Sequence, residues 1–132
     1  MGDSGNGRGA GGEQVLCRAK ICDRTFMGGG FGMEHAYRKL WGEAVVTDQR
    51  VIAKWDDGRT EQYLLTDIRS VDFGEPAKQQ LGDRNYTRRF KSDYPGIQRV
   101  WISTVSSRAP IEWDSVSARE LATGIRQAMM PF

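Results

Sequence analysis

The stretch from Gly42 to Phe73 restricts the fold most. Glu43–Thr47, Arg50–Trp55 and Thr60–Leu65 are short runs rich in β-branched and aromatic residues, separated only by Asp48-Gln49 and by a segment carrying Asp57-Gly58. Alternation with a period of two marks strands that bury one face, and Asp-Gly between two such runs is the strongest short-range hairpin signal. Asp67–Phe73 adds a further strand carrying Ile68 and Val71. An antiparallel meander is therefore expected, which leaves no room for a parallel α/β architecture in this region.

The remaining elements extend the same class. Over Glu13–Thr25, Val15, Cys17, Ala19 and Ile21 point one way while Arg18, Lys20, Cys22 and Arg24 point the other, giving a strand with a basic outer stripe. Phe26-Met27-Gly28-Gly29-Gly30-Phe31-Gly32 reads as a glycine-rich loop. Met33, Ala36, Tyr37, Leu40 and Trp41 then fall at helical spacing, which predicts a short helix over 33–41. Gly74–Asp83 reads as a loop, followed by strands at Tyr86–Ser92, Ile97–Val105 and Pro110–Asp114 with Tyr94-Pro95-Gly96 and Ser106-Ser107-Arg108 as turns. Leu121, Ile125, Ala128 and Met129 share one face of a terminal helix, opened by a Ser117–Glu120 capping box and stopped by Pro131. Residues 1–12, with six glycines, form a disordered tail, and 13–132 form a single domain. The expected fold is mainly β, a barrel or sandwich of about seven antiparallel strands capped by one C-terminal helix. Val46, Ile52, Ile68, Val71, Ile102, Leu121 and Ile125 are its expected core.

Gly42-Glu43-Ala44-Val45-Val46-Thr47-Asp48-Gln49-Arg50-Val51-Ile52-Ala53, followed by Leu65-Thr66-Asp67-Ile68-Arg69-Ser70-Val71, resembles the bacterial pleckstrin-homology-like and GRAM-like domains. Those domains carry a hairpin of the form G-x-hydrophobic-x-hydrophobic-T-[ND]-x-R and then a D-I-x-S-V strand. The resemblance implies a partly open seven-stranded barrel capped by a helix, in which Thr47 and Arg50 serve the turn and Ile68 and Val71 the core. In the wider superfamily such domains bind phosphoinositide headgroups, other lipids, peptides or proteins, so the fold leaves function open. The basic pattern of the inositol-phosphate binders is not reproduced here, because Lys20 and Arg24 are followed by a glycine loop.

Charge and composition narrow the functional classes. Nineteen Lys and Arg against seventeen Asp and Glu leave a net charge of +2, too weak a field for nucleic-acid binding on bulk electrostatics. No run approaches the roughly 20 apolar residues of a membrane span, and the N-terminus lacks the apolar region of a secretory signal, so a cytoplasmic location is expected. Cys17 and Cys22 on one strand would stand about 16 Å apart on opposite faces, beyond disulfide reach. The expectation is a buried Cys17 thiol and a surface Cys22 thiol. With His35 they lack a fourth zinc ligand. His35 is also the only histidine, no Gly-x-Ser-x-Gly elbow or P-loop occurs, and Asp56-Asp57 falls at a hairpin tip. A non-enzymatic chain with no cofactor, no metal and no small-molecule substrate is expected.

Two features suggest binding. Arg84-Asn85-Tyr86-Thr87-Arg88-Arg89-Phe90-Lys91 holds four cations and no acid. Arg84, Arg88, Arg89 and Lys91 form a surface for an acidic protein or another anion, with Arg18, Lys20 and Arg24 as a second stripe; the alternative is a charged edge strand that blocks aggregation. Phe26, Met27, Phe31 and Met33 beside Arg24, Arg38 and Lys39 form either an interfacial wedge for anionic phospholipid at the inner membrane face or a plug folded onto the barrel mouth. Asp56–Glu75 carries six acids against two bases, so the domain is electrically bipolar and suited to self-association or protein partnership.

Overall fold

The computed structural model describes the backbone of residues 12–28, 36–75 and 92–130, and side chains over 12–24, 39–75 and 92–130. Strand β1 (Val15–Gly28) is followed by β2 (Ala36–Thr47), β3 (Arg50–Trp55) and β4 (Thr60–Leu64). A one-turn 3-10 helix (Leu65–Asp67) leads into β5 (Ile68–Gly74), then β6 (Gln98–Thr104), β7 (Ile111–Ser115) and helix α1 (Ala118–Met129). All seven strands lie in one antiparallel sheet, ordered β4-β3-β2-β1-β7-β6-β5, and the sheet is not closed. This is the expected class: a mainly β domain capped by one C-terminal helix.

The connectivity forces the sheet to curl. Edge strands β4 and β5 are consecutive in the chain, and Leu64 is four Cα steps from Ile68, at most about 15 Å. Seven flat strands would put their edges about 29 Å apart. Side chains confirm the curl: Tyr63 on β4 and Trp113 on β7, four places apart in the sheet, bring their rings within 6.1 Å, and Trp55 on β3 meets Trp113 at 6.2 Å, edge to face. Glu61 Oε1 accepts hydrogen bonds from both Trp55 Nε1 and Tyr63 Oη, each at 3.2 Å, so the indole and phenol of this cluster are satisfied.

Helix α1 fills the concave side. Leu121 and Ile125 are fully buried against Ile21, Val46, Val51, Val100 and Ile102. Arg126 ties the helix to edge strand β5, its Nε and Nη2 donating to the Val71 carbonyl at 3.0 and 2.5 Å. Ser117 occupies the N-cap position, but its side chain makes no capping bond, so the expected capping box is not formed. Its backbone N–H instead donates to Ser115 Oγ at 3.0 Å.

The turn residues act as expected. Gly58 has φ 96°, in the region open to glycine, and its N–H donates to the Trp55 carbonyl at 3.0 Å. In the β2–β3 turn, Thr47 Oγ1 accepts from the N–H groups of Gln49 and Arg50, both at 3.0 Å, and donates to Glu13 Oε2 at 2.6 Å. Glu13 also grips the Arg50 guanidinium at 2.8 and 3.0 Å, which fastens the start of β1 to the turn. Asp67 holds the far end of the barrel, accepting from the Ser106 N–H at 3.2 Å and its hydroxyl at 2.5 Å.

Several expectations are corrected. Residues 36–41 of the predicted helix over 33–41 belong to β2, paired from Ala36 to Trp41 with β1. Leu40 packs on the main core while Trp41 packs on a second apolar cluster across the sheet, so both faces of this stretch are apolar and the period of two is lost. Phe26, Met27 and Gly28, read as loop, continue β1. Ile52 faces outward on β3 and is only half-buried, whereas Val46, Ile68, Val71, Ile102, Leu121 and Ile125 are buried. The tail over 1–11 and residues 86–91 of the expected strand at Tyr86–Ser92 lie outside the described residues.

Candidate binding face

Strand alternation turns Arg18 and Lys20 on β1, Lys39 on β2 and Lys54 on β3 to the convex side of the sheet, and all four are exposed. Register sets Lys20 opposite Glu43 and Glu43 opposite Lys54, so two cations flank a carboxylate in one cross-strand row. Arg18 Nη1 lies 3.1 Å from Glu43 Oε1, with the two side chains 54% and 47% exposed, a surface pair that contributes little to stability. Lys20 Nζ stands 4.9 Å above the Trp41 ring, a cation–π contact that fixes the ammonium at the edge of the face.

Next to that row part of the convex side is covered. Cys22 is fully buried and Ile97 is 5% exposed, with Trp41 and Tyr94 packed beside them. The rings of Trp41 and Tyr94 lie 4.9 Å apart. Tyr94-Pro95-Gly96 makes the expected turn, with Gly96 at φ 84° and the Ile97 N–H donating to the Tyr94 carbonyl at 3.1 Å. That turn covers Cys22, which reverses the expected thiol exposures: Cys22 is sealed, while Cys17 is half-buried under α1. The alternation itself is right, since Cys17 faces the main core and Cys22 the opposite side. Burial, with the Asp114 charge beside it, pushes the Cys22 thiol up to about 12, so it is a protonated, inert thiol in the native state.

Arg24, the third member of the expected basic stripe, is not a surface cation. Its side chain is 4% exposed and pairs with Asp114 at 3.3 Å. Asp114 also takes Arg99 from β6 at 2.9 and 3.3 Å, and Arg99 reaches the half-exposed Glu112 at 3.3 Å. Burial works against the Arg99 charge, but the Asp114 hydrogen bonds and carboxylate outweigh it and raise the guanidinium pKa. Removing Asp114 would strip two buried guanidinium groups of the carboxylate they share, the kind of loss that costs most. This cluster holds β1, β6 and β7 together.

The expected site residues thus divide. Arg18 and Lys20 lie on one exposed face, joined there by Lys39, expected only as a cation flanking the apolar wedge, and by Lys54, which sequence reasoning did not select. Arg24 is withdrawn into the ion-pair cluster. Phe26 and Met27 lie on β1, and Phe31 and Met33 fall outside the described residues, as do Arg84, Arg88, Arg89 and Lys91. Asp114, Arg99, Tyr94 and Glu13 were missed because their partners lie 15 to 90 residues away, and no local pattern announces such a pairing; for Arg99 and Asp114 the separation is 15, and for Glu13 and Arg50 it is 37. Among the described residues no helix is long and apolar enough to cross a membrane. Compared with known proteins, the chain matches no family model, no curated protein and no solved structure.

Proposed function

We propose that the chain is a non-catalytic, pleckstrin-homology-like binding module of the cytoplasm that works through protein contact, self-association included. The observation that carries this reading is the convex row of Lys20, Glu43 and Lys54 with Arg18 and Lys39 around it. A partner surface of discrete, mixed charge can match cations that alternate with a carboxylate. A uniformly anionic lipid surface would meet Glu43 as a repulsive charge. The basic run 84–91 is followed directly in the chain by Ser92 and the Tyr94 turn, and that turn packs on Trp41, the ring that Lys20 covers.

Peripheral binding to anionic phospholipid through Phe26, Met27, Phe31 and Met33 is the competing reading, and paired variants separate the two. Arg88→Glu with Arg89→Glu is expected to reduce self-association measured by light scattering, while Phe26→Ser with Phe31→Ser leaves it unchanged. Co-sedimentation with phosphatidylserine vesicles that both pairs abolish, at constant monomeric mass, would reject protein contact in favour of the membrane.

A further inference from the structure

The convex side of the sheet carries a second charged row, on β5, β6 and β7. Register sets Asp72 of β5 opposite Trp101 of β6, and Trp101 opposite Glu112 of β7. Val71, Val100, Ile102 and Trp113, their neighbours along the strands, are buried in the core, so alternation turns Asp72, Trp101 and Glu112 outward. Both acids are exposed, and the Trp101 indole between them is partly exposed. Asp72 meets Arg126 and Glu112 meets Arg99, each at 3.3 Å, but the two acidic side chains remain 77% and 39% exposed and have oxygens left to accept further bonds. Unlike Trp55, which donates to Glu61, Trp101 makes no hydrogen bond through its indole N–H among the described residues.

This row is complementary to the one on β1, β2 and β3. There Lys20 and Lys54 flank Glu43; here two carboxylates flank an indole that carries an N–H donor. In both rows the like charges stand two strands apart, about 9–10 Å. The inner faces of β3, β4 and β7 pack on one another through Trp55, Tyr63 and Trp113, so the outer faces point apart and the rows cannot meet within one molecule. A partly exposed tryptophan at the centre of a charged row is the kind of side chain that anchors protein interfaces.

We propose that the cationic row docks on the Asp72–Trp101–Glu112 row of a second copy of this chain, with Lys20 and Lys54 against the two carboxylates and Glu43 accepting the Trp101 indole N–H. The proposal rests on the convex cationic row being a contact surface, and it names what that surface contacts. Because the two patches differ, the contact runs head to tail, and assembly continues past a dimer into a ring or a filament.

Two charge-reversed chains, weighed by light scattering after size exclusion at about 50 mM salt, test this. Lys20→Glu with Lys54→Glu reverses one row, and Asp72→Lys with Glu112→Lys reverses the other. Each chain alone should be monomeric, because like charges then face each other. An equimolar mixture should recover the concentration-dependent mass, because each reversed row finds its complement on the other chain. If Glu112→Lys beside Arg99 prevents folding, Asp72→Lys with Glu112→Gln takes its place, with partial recovery in the mixture. An acidic-row variant that associates like the parent, or a mixture that stays monomeric, would overturn the proposal and leave the cationic row as a surface for another partner. A parent chain that is itself monomeric would reject self-association, and the proposal with it.

Discussion

Gly124 of α1 lies directly against Cys17 of β1: a β-carbon placed on Gly124 would stand 3.0 Å from both the Cβ and the Sγ of Cys17. The contact sets how closely the helix can approach the sheet, and Cys17 Sγ sits under the same turn, 3.9 Å from the Glu120 carbonyl. Alanine at a helix interior ordinarily gains about 1 kcal/mol over glycine. Here crowding of about 1–3 kcal/mol opposes that gain. Gly124→Ala is therefore expected to lower stability to urea, and Cys17→Ala in the same chain to recover part of the loss. A Gly124→Ala chain more stable than the parent would show that the helix can move away at no cost.

Gly42 is a harsher case. A β-carbon there would come 2.5 Å from the Lys54 carbonyl oxygen and 2.8 Å from Trp55 Cε3, and the carbonyl belongs to the backbone of the paired strand. Gly42→Ala should cost about 3 kcal/mol or more, at the upper end of overpacking effects, with loss of the Trp55 environment in near-ultraviolet circular dichroism.

The thiols should label in the order opposite to simple alternation. Cys22 is fully buried with its thiol pushed up to about 12, and Cys17 is half-buried, its own pKa raised by burial and by Glu120. Iodoacetamide under native conditions is expected to modify Cys17 well before Cys22, read by mass spectrometry of the two peptides. Faster modification of Cys22 would remove the Tyr94–Ile97 cover from the account.

Glu13 gives the fold an acid limit. Hydrogen bonds from Arg50, then Thr47, hold its carboxyl below the ordinary value of 4.5. A carboxylate with a depressed folded pKa adds stability that is complete above the unfolded value and is lost as pH falls through 4.5 and then through the lower folded value. Stability should be flat in this respect above about pH 5.5 and decline below pH 4.5, and Glu13→Gln should remove that part of the slope. An unchanged acid slope in Glu13→Gln would mean that the clasp on Arg50 does not form in solution.

What the sequence disclosed follows from where burial is one-sided. The β3–β4 hairpin was legible because Asp57-Gly58 is local chemistry and because Val51, Ala53 and Trp55 face one core. The helix was legible because Leu121 and Ile125 repeat at its period. Where the protein buries both faces of a strand, the signal fails: Leu40 and Trp41 are adjacent, each packed on a different cluster, and together they imitate a helix stripe. Cys22 was misjudged because an outward position in β1 becomes an interior one once the Tyr94 turn lies over it, and Arg24 because it is drawn into the ion pair with Asp114. Of the candidate face, Arg18 and Lys20 could be read from one strand, but the addition of Lys54 required the register of three.

The most direct measurement is the mass of the full chain by size-exclusion chromatography with light scattering, at about 50 mM and 500 mM salt, beside Lys20→Glu with Lys54→Glu. Exposed charges are screened beyond about 4–5 Å at the higher salt, so a face that works by charge must weaken there. The account predicts a concentration-dependent mass above the 14.8 kDa monomer at low salt, reduced at high salt and lost in the double variant. A monomeric mass in both chains under both conditions, with wild-type protein instead captured by phosphatidylserine vesicles, would contradict it.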